Sequence, residues 1–193
     1  MAGRGADSCT GKSTPDGSLD ASVCVLHHQA ASRRQFQSPG SPLFWTRRLP
    51  DLFTAEERLA AWQDFEPRCL HDSTLSFASH ALFAARNGLT DAAWRYFEKA
   101  AYLDLREIMG NTGKEGLHLA CFGETWQAVI FGFAGLRFTP DGPRLSPHLP
   151  AGWQGLHFHF YWHGKLYGAD LRRDKTGAVQ TELSSLTELP KSP

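Results

Sequence analysis

Apolar positions recur with no sustained period over residues 1–42. That stretch is rich in Gly, Ser, Ala, Asp and Arg, with Val23-Cys24-Val25-Leu26 as its apolar cluster. It reads as a disordered or non-homologous leader, because it offers too little apolar surface to offset chain entropy. Regular patterning begins near Leu43. Thr54-Ala55-Glu56-Glu57 has the form of a capping box, with Thr54 as N-cap and Glu57 at the third helical position. It predicts a helix to about Asp64 that stops before Pro67. Leu75, Ala78, Leu82 and Ala85 lie on one stripe of a second helix, Leu75 to Ala85, closed by Asn87-Gly88. Thr90 is placed to cap a third, in which Trp94, Phe97, Ala101 and Leu105 recur at helical spacing. Thr125 to Ala134 is apolar almost all round, which predicts a fourth, buried helix.

After Gly135 the period changes. Leu136-Arg137-Phe138 precedes a Pro140-Asp141-Gly142 turn. Leu156, Phe158, Phe160 and Trp162 then alternate with His157, His159 and Tyr161, the pattern of a half-buried strand. His163-Gly164-Lys165 is a tight turn, and Leu166 to Arg172 is the returning strand. From Asp174 the chain turns polar, which predicts a frayed end. One change from helices to sheet, near residue 136, suggests two structural units.

Composition narrows the function classes. The formal net charge is zero, so nothing points to nucleic acid or an anionic membrane. Cys9, Cys24, Cys69 and Cys121 show neither metal nor disulfide spacing, which suits a reducing, cytoplasmic compartment. The start, Met1 to Asp20, carries no apolar signal core, and the longest apolar run, around Ala128 to Leu136, is too short to span a bilayer. His157, His159 and His163 could suggest a metal, but His157 and His159, which share one strand face, lack a third ligand at fixed geometry, so no metal is assigned; an outward polar face explains them as well.

The candidate chemistry lies in two stretches. Gly116-Leu117-His118-Leu119 is a small-residue turn carrying a histidine into a helix. Free N–H groups and the positive end of the helix dipole converge at such a place, and His118 can add a donor for an anion. Arg68-Cys69-Leu70-His71-Asp72-Ser73-Thr74 offers an Arg, a His and hydroxyls before another helix. Ser73 and Thr74 serve equally as caps of the helix at Leu75. Arg68 and Asp72 would also suit a structural ion pair. Glu115 and Glu124 are carboxylates at a loop and a helix start, where dipole partnership is the usual role. Cys69 and Cys121 read as small buried residues rather than nucleophiles.

Pro67-Arg68-x-x-His71-Asp72-Ser73-x-Leu75-Ser76, Tyr96-Phe97, Asp104-Leu105, Glu115-Gly116-Leu117-His118, Gly123-x-x-Trp126, Gly132-Phe133-x-Gly135-Leu136-Arg137 and Leu149-Pro150-x-x-Trp153 occur in this order. The series resembles the C-terminal part of glycoside hydrolase family 65, the maltose, kojibiose, nigerose and trehalose phosphorylases with some α-glucoside hydrolases. The resemblance covers roughly Leu49 to Leu171. It implies a mainly α chain with a small β unit: the last helices of an (α/α)6 catalytic toroid over 43–135, a C-terminal antiparallel β-sheet domain over 136–173, and a flexible tail over 174–193. It also implies a fragment of an inverting disaccharide phosphorylase or hydrolase, acting on an α-linked glucose disaccharide with inorganic phosphate as co-substrate and needing no cofactor. Ser73, Thr74, His118 and Gly116 would form part of the phosphate site. Arg68, His71, Asp72 and Glu115 would support it.

The family's general-acid Glu and a Lys-Gln pair lie upstream in the toroid. They have no counterpart here, so the chain is expected to be inactive alone. Longer relatives are commonly homodimers. Toroid helices standing alone would leave faces such as Trp94/Phe97 and Trp126/Ile130 uncovered. Two other classes compete. Leu82 to Leu105 has the outline of one tetratricopeptide unit, as in a helical-repeat binding module, although solenoids need about three. A catalytically inactive accessory product is the other.

Overall fold

The computed structural model describes residues 52–186, in two compact units divided between Asp72 and Ser73. All of the expected leader therefore lies outside the described residues, as do positions 187–193 of the expected tail.

The first unit contains α1, Ala55–Phe65, and a 3₁₀ turn, Glu66–Arg68. Its start is the capping box read from the sequence: Glu57 N–H donates to Thr54 Oγ1 at 3.2 Å, and Thr54 N–H donates to Glu57 Oε2 at 2.8 Å. Pro67 falls in the first positions of the 3₁₀ turn, where its missing N–H costs nothing.

The second unit is built on α2, Ser76–Arg86, buried from Ser76 through Ala85. A helix buried all round needs small residues where neighbours approach, and Ser76, Ala78, Ser79, Ala81, Ala84 and Ala85 supply them. It ends in a Schellman motif. Gly88 takes φ 72°, its N–H donates to Ala85 O, and Leu89 N–H donates to Ala84 O. The chain reverses at once into α3, Thr90–Ala101. Thr90 is not the N-cap as expected; Leu89 is, and the Thr90 hydroxyl turns back to Gly88 O. The short connection leaves no room for a separate cap residue.

The buried stripe of α3 is Ala93, Tyr96 and Ala100, not the predicted Trp94/Phe97/Ala101/Leu105. Tyr96 stacks on Phe77 and packs tilted against His80 of α2. Trp94 and Phe97 instead meet Trp153 edge-on, and Phe133 joins them. Leu105 lies beyond the helix and is exposed.

After the short α4, Thr112–Glu115, comes α5, Leu119–Gln127, which continues as a π-helical stretch, Ala128–Phe133. This helix begins before the predicted Thr125, and its last turns are widened. Ser79 of α2 donates to Glu124 of α5 at 2.7 Å, while Gly132 lies against Leu82 and Ala85. Residue numbers rise together along the two helices, so α2 and α5 run parallel with their N-termini at the same end. Helix α3 runs antiparallel to both. The predicted burial of Thr125 to Ala134 holds for Ala128, Ile130, Gly132, Phe133 and Ala134, but Trp126 is 58% exposed.

Helix ends and strands begin within a few residues. Strands β1, Arg137–Thr139, and β2, Gly142–Arg144, form a two-stranded antiparallel sheet. Strands β3, Gly155–Trp162, β4, Lys165–Arg173, and β5, Val179–Leu186, form a three-stranded antiparallel sheet in that order. His163 and Gly164 both take positive φ in the β3–β4 turn, the twist a two-residue hairpin needs. Phe138 joins the sheets by packing on Phe160 and Trp162.

Strand β5 corrects the expected frayed end. Its polar residues pair with β4 from Val179↔Arg173 to Leu186↔Leu166. The pairing rests on side chains the alternation did not weigh. Asp174 accepts from Thr176, Ala178 and Gln180, and these bonds lower its carboxyl from 3.8 to about 2. The Arg173 guanidinium donates to the carbonyls of Trp153, Gly177, Leu149 and Pro150, tying the turn to the 149–153 segment. Among the described residues no helix is long and apolar enough to cross a membrane.

Candidate functional site

Two chain entrances carry the candidate residues of the second unit. At α2, Ser73 and Thr74 are half-buried and immediately precede the helix. The Ser73 carbonyl accepts Ser76 N–H at 2.9 Å, and its hydroxyl lies 3.4 Å from Leu75 N. Neither Ser73 nor Thr74 is the N-cap: Leu75 is, with no side-chain cap bond, and Ser73 contributes one good backbone bond to Ser76 and one long side-chain bond to Leu75.

At α5 the entrance is held from a distance. His118 is the N-cap residue, and its carbonyl accepts Cys121 N–H at 2.9 Å. Gly116, at φ 79° and ψ −163°, makes the preceding turn in a conformation other residues rarely adopt. The Asp104 carboxylate grips His118 twice, accepting the backbone N–H on Oδ2 at 2.8 Å and meeting Nδ1 through Oδ1 at 2.6 Å. Thr112 Oγ1 adds a donor to Oδ1 at 3.3 Å. The Asp104 side chain is only 1% exposed. Burial works against its charge, but the His118 backbone and ring donors and the Thr112 hydroxyl outweigh that and hold the carboxyl below its ordinary value.

Because α2 and α5 run parallel, both entrances face the same end of the helix pair. Their positive dipole ends therefore point the same way, with hydroxyls at one and an imidazole at the other, an arrangement suited to an anion.

The supporting residues divide between the two units. Arg68 pairs with Asp64 one turn earlier, rather than with Asp72, and lies near the Phe65 ring. His71 takes φ 50°, and Asp72 is exposed. All three belong to the first unit. Glu115 ends α4, and its side chain lies outside the described part. Glu124 is buried on Ser79 and cross-links α5 to α2. Cys121 is fully buried, and burial raises its thiol pKa, as expected of a packing residue. The sequence reading passed over Asp104 as a site residue. Its Asp-Leu motif gave the only signal, because the contact spans the loop from 102 to 118.

Comparison with known proteins gives concordant matches. The profile of the glycosyl hydrolase family 65 central catalytic domain matches residues 26–127, and that of the family's C-terminal domain matches residues 136–181. The first match starts inside the stretch expected to be unrelated to the family. An alpha,alpha-trehalose phosphorylase of Geobacillus stearothermophilus is 43% identical over 101 residues, 52% of this chain and 13% of that protein. A kojibiose phosphorylase of Halothermothrix orenii is 36% identical over 127 residues, 66% of this chain and 16% of that protein. A solved structure, a putative kojibiose phosphorylase from the human microbiome, superimposes with TM-score 0.66 at 27% identity, covering 75% of this chain and 19% of that one. The chain thus spans 13–16% of the length of these two curated relatives.

Proposed function

The chain belongs to glycosyl hydrolase family 65, and from that premise we propose that it carries part of the phosphate-binding half of a disaccharide phosphorylase site. In an inverting phosphorolysis one carboxylic acid protonates the leaving sugar oxygen while phosphate attacks the anomeric carbon from the opposite face. The protein must then offer a nucleophile site rich in N–H, hydroxyl and imidazole donors. Ser73, Thr74, His118 and Gly116 are the residues proposed for it, with Arg68, His71, Asp72 and Glu115 in support. The substrates would be an α-linked glucose disaccharide and inorganic phosphate, without a cofactor. No general-acid Glu is assigned on this chain, so turnover would need a carboxyl from elsewhere.

The observation that carries this reading is the parallel run of α2 and α5, which turns both entrances to one end. The helix–hairpin–helix order, with first and third helices parallel, also suits a segment of an (α/α)6 toroid over 43–135 followed by a β domain from 136. The exposed apolar face of α5, Leu119, Phe122 and Trp126, suits a toroid helix that packs against a further helix. We further propose a cytoplasmic location and, in the complete enzyme, a homodimer.

A titration of the ¹⁵N-labelled chain with inorganic phosphate tests the site. Saturable amide shifts confined to Ser73–Ser76 and Gly116–Gly123 are expected. A well-dispersed spectrum indifferent to phosphate would remove the phosphate assignment.

A further inference from the structure

We propose that Asp104 is a positioning residue that fixes the tautomer and orientation of His118, so that the ring meets its ligand only through Nε2. The role of His118 as a phosphate ligand rests on the reading above; the action of Asp104 on the ring does not.

The argument is one of donors and acceptors. An ionised carboxylate accepts hydrogen bonds and donates none. With Asp104 ionised, the 2.6 Å contact between Oδ1 and Nδ1 requires the proton on Nδ1. A neutral imidazole has one N–H, so Nε2 then carries the lone pair; the protonated ring carries N–H on both nitrogens. The second Asp104 oxygen holds the His118 backbone N–H at 2.8 Å. One carboxylate therefore fixes the ring and the peptide that carries it, removing both rotation about the side chain and a shift of the backbone.

The brace is itself supported. Thr112 Oγ1 reaches the same Oδ1, and Glu107, at φ 48°, accepts Gly113 N–H at 3.4 Å. The loop from Tyr102 to His118 thus closes around its own acidic side chains. A carboxylate kept 1% exposed beneath a donor-rich turn is a costly arrangement unless its partners are held in return. The same device orients imidazoles that bind metals, where losing the carboxylate costs 10–100-fold in affinity.

The test uses the full chain and its Asp104→Asn variant. Long-range ¹H–¹⁵N spectra of the His118 ring report which nitrogen carries the proton. The neutral wild-type ring is expected as the Nδ1–H form, and the variant is expected to lose that preference while amides of β3–β5 keep their positions. Phosphate affinity is expected to fall roughly tenfold in the variant, with Asp104→Glu restoring part of it. A wild-type ring protonated on Nε2 overturns the proposal without reference to any variant, and so decides it even if Asp104→Asn does not fold. An unchanged tautomer in a folded variant overturns it as well. Failure of the wild-type chain to bind phosphate would instead remove the phosphate reading, and the ring spectrum would still judge Asp104.

Discussion

Helices α2 and α5 run side by side in the same direction, yet they are stabilised in opposite ways. Helix α2 is buried all round, starts without a side-chain cap and ends in a Schellman motif. Helix α5 buries one side, exposes Leu119 and Trp126 on the other, is started by a carboxylate from a remote loop, and ends in a π-helical stretch. A helix with a complete packing shell needs little from its ends. One with half a shell depends on outside contacts at both, and its ends are then the places where tertiary structure can position functional groups.

The largest break in this contrast is expected at the exit of α5. Gly135 takes φ 65°, and a Cβ there would sit 1.8 Å from Ser146 O. Gly135→Val should cost 4 kcal/mol or more, roughly the scale of exceptional substitutions, read as loss of a cooperative thermal transition. Next, Phe83→Ala in the shell of α2, where Phe83 is 1% exposed, should cost about 3–5 kcal/mol. Trp126→Ala on the open face of α5 should cost under about 1 kcal/mol in the same denaturant titration; equal losses would erase the distinction. Ser79→Ala removes a donor from the buried Glu124 carboxylate and should cost about 1–3 kcal/mol.

The smallest effect should come at the entrance of α2. Ser73→Ala should cost only about 0.5 kcal/mol, because its one side-chain bond is long and caps no helical N–H. Its larger consequence should be weaker phosphate shifts.

Acid separates the two entrances. Since the folded Asp104 carboxyl lies below its ordinary value of 3.8, its stabilisation is complete above that pH and is lost as pH falls through the folded value. Amide exchange at His118 should therefore quicken below pH 3.8, while Ser76, bonded to a carbonyl, should show no such step. Quickening at both together would point to general unfolding instead.

Local chemistry was legible wherever neighbours in sequence settle the structure. The Thr54/Glu57 box, the Asn87-Gly88 stop and the His163-Gly164 turn each close within a few residues. The alternation of Leu156 to Trp162 likewise identified β3. The family was legible because its motifs lie in order along the chain. Thr90 misled because a three-residue connection gives the cap position to Leu89. The α3 stripe was set one position off because Trp94 and Phe97 answer to Trp153, far along the chain. Polar β5 read as tail because its stability comes from pairing with β4 and from Arg173 and Asp174, which periodicity does not register.

The sequence by itself determined the order of the longer helices and of the first hairpin strands, most turns, the family, and which residue types sit at the two helix entrances. Tertiary structure alone decided that those entrances point the same way, that Asp104 rather than a nearer residue holds His118, and that α5 widens before Gly135. The physical reason is range. A cap or tight turn is specified by bonds spanning two to five residues, whereas the direction of one helix beside another and the partner of a buried carboxylate depend on packing across tens of residues, which no local pattern encodes.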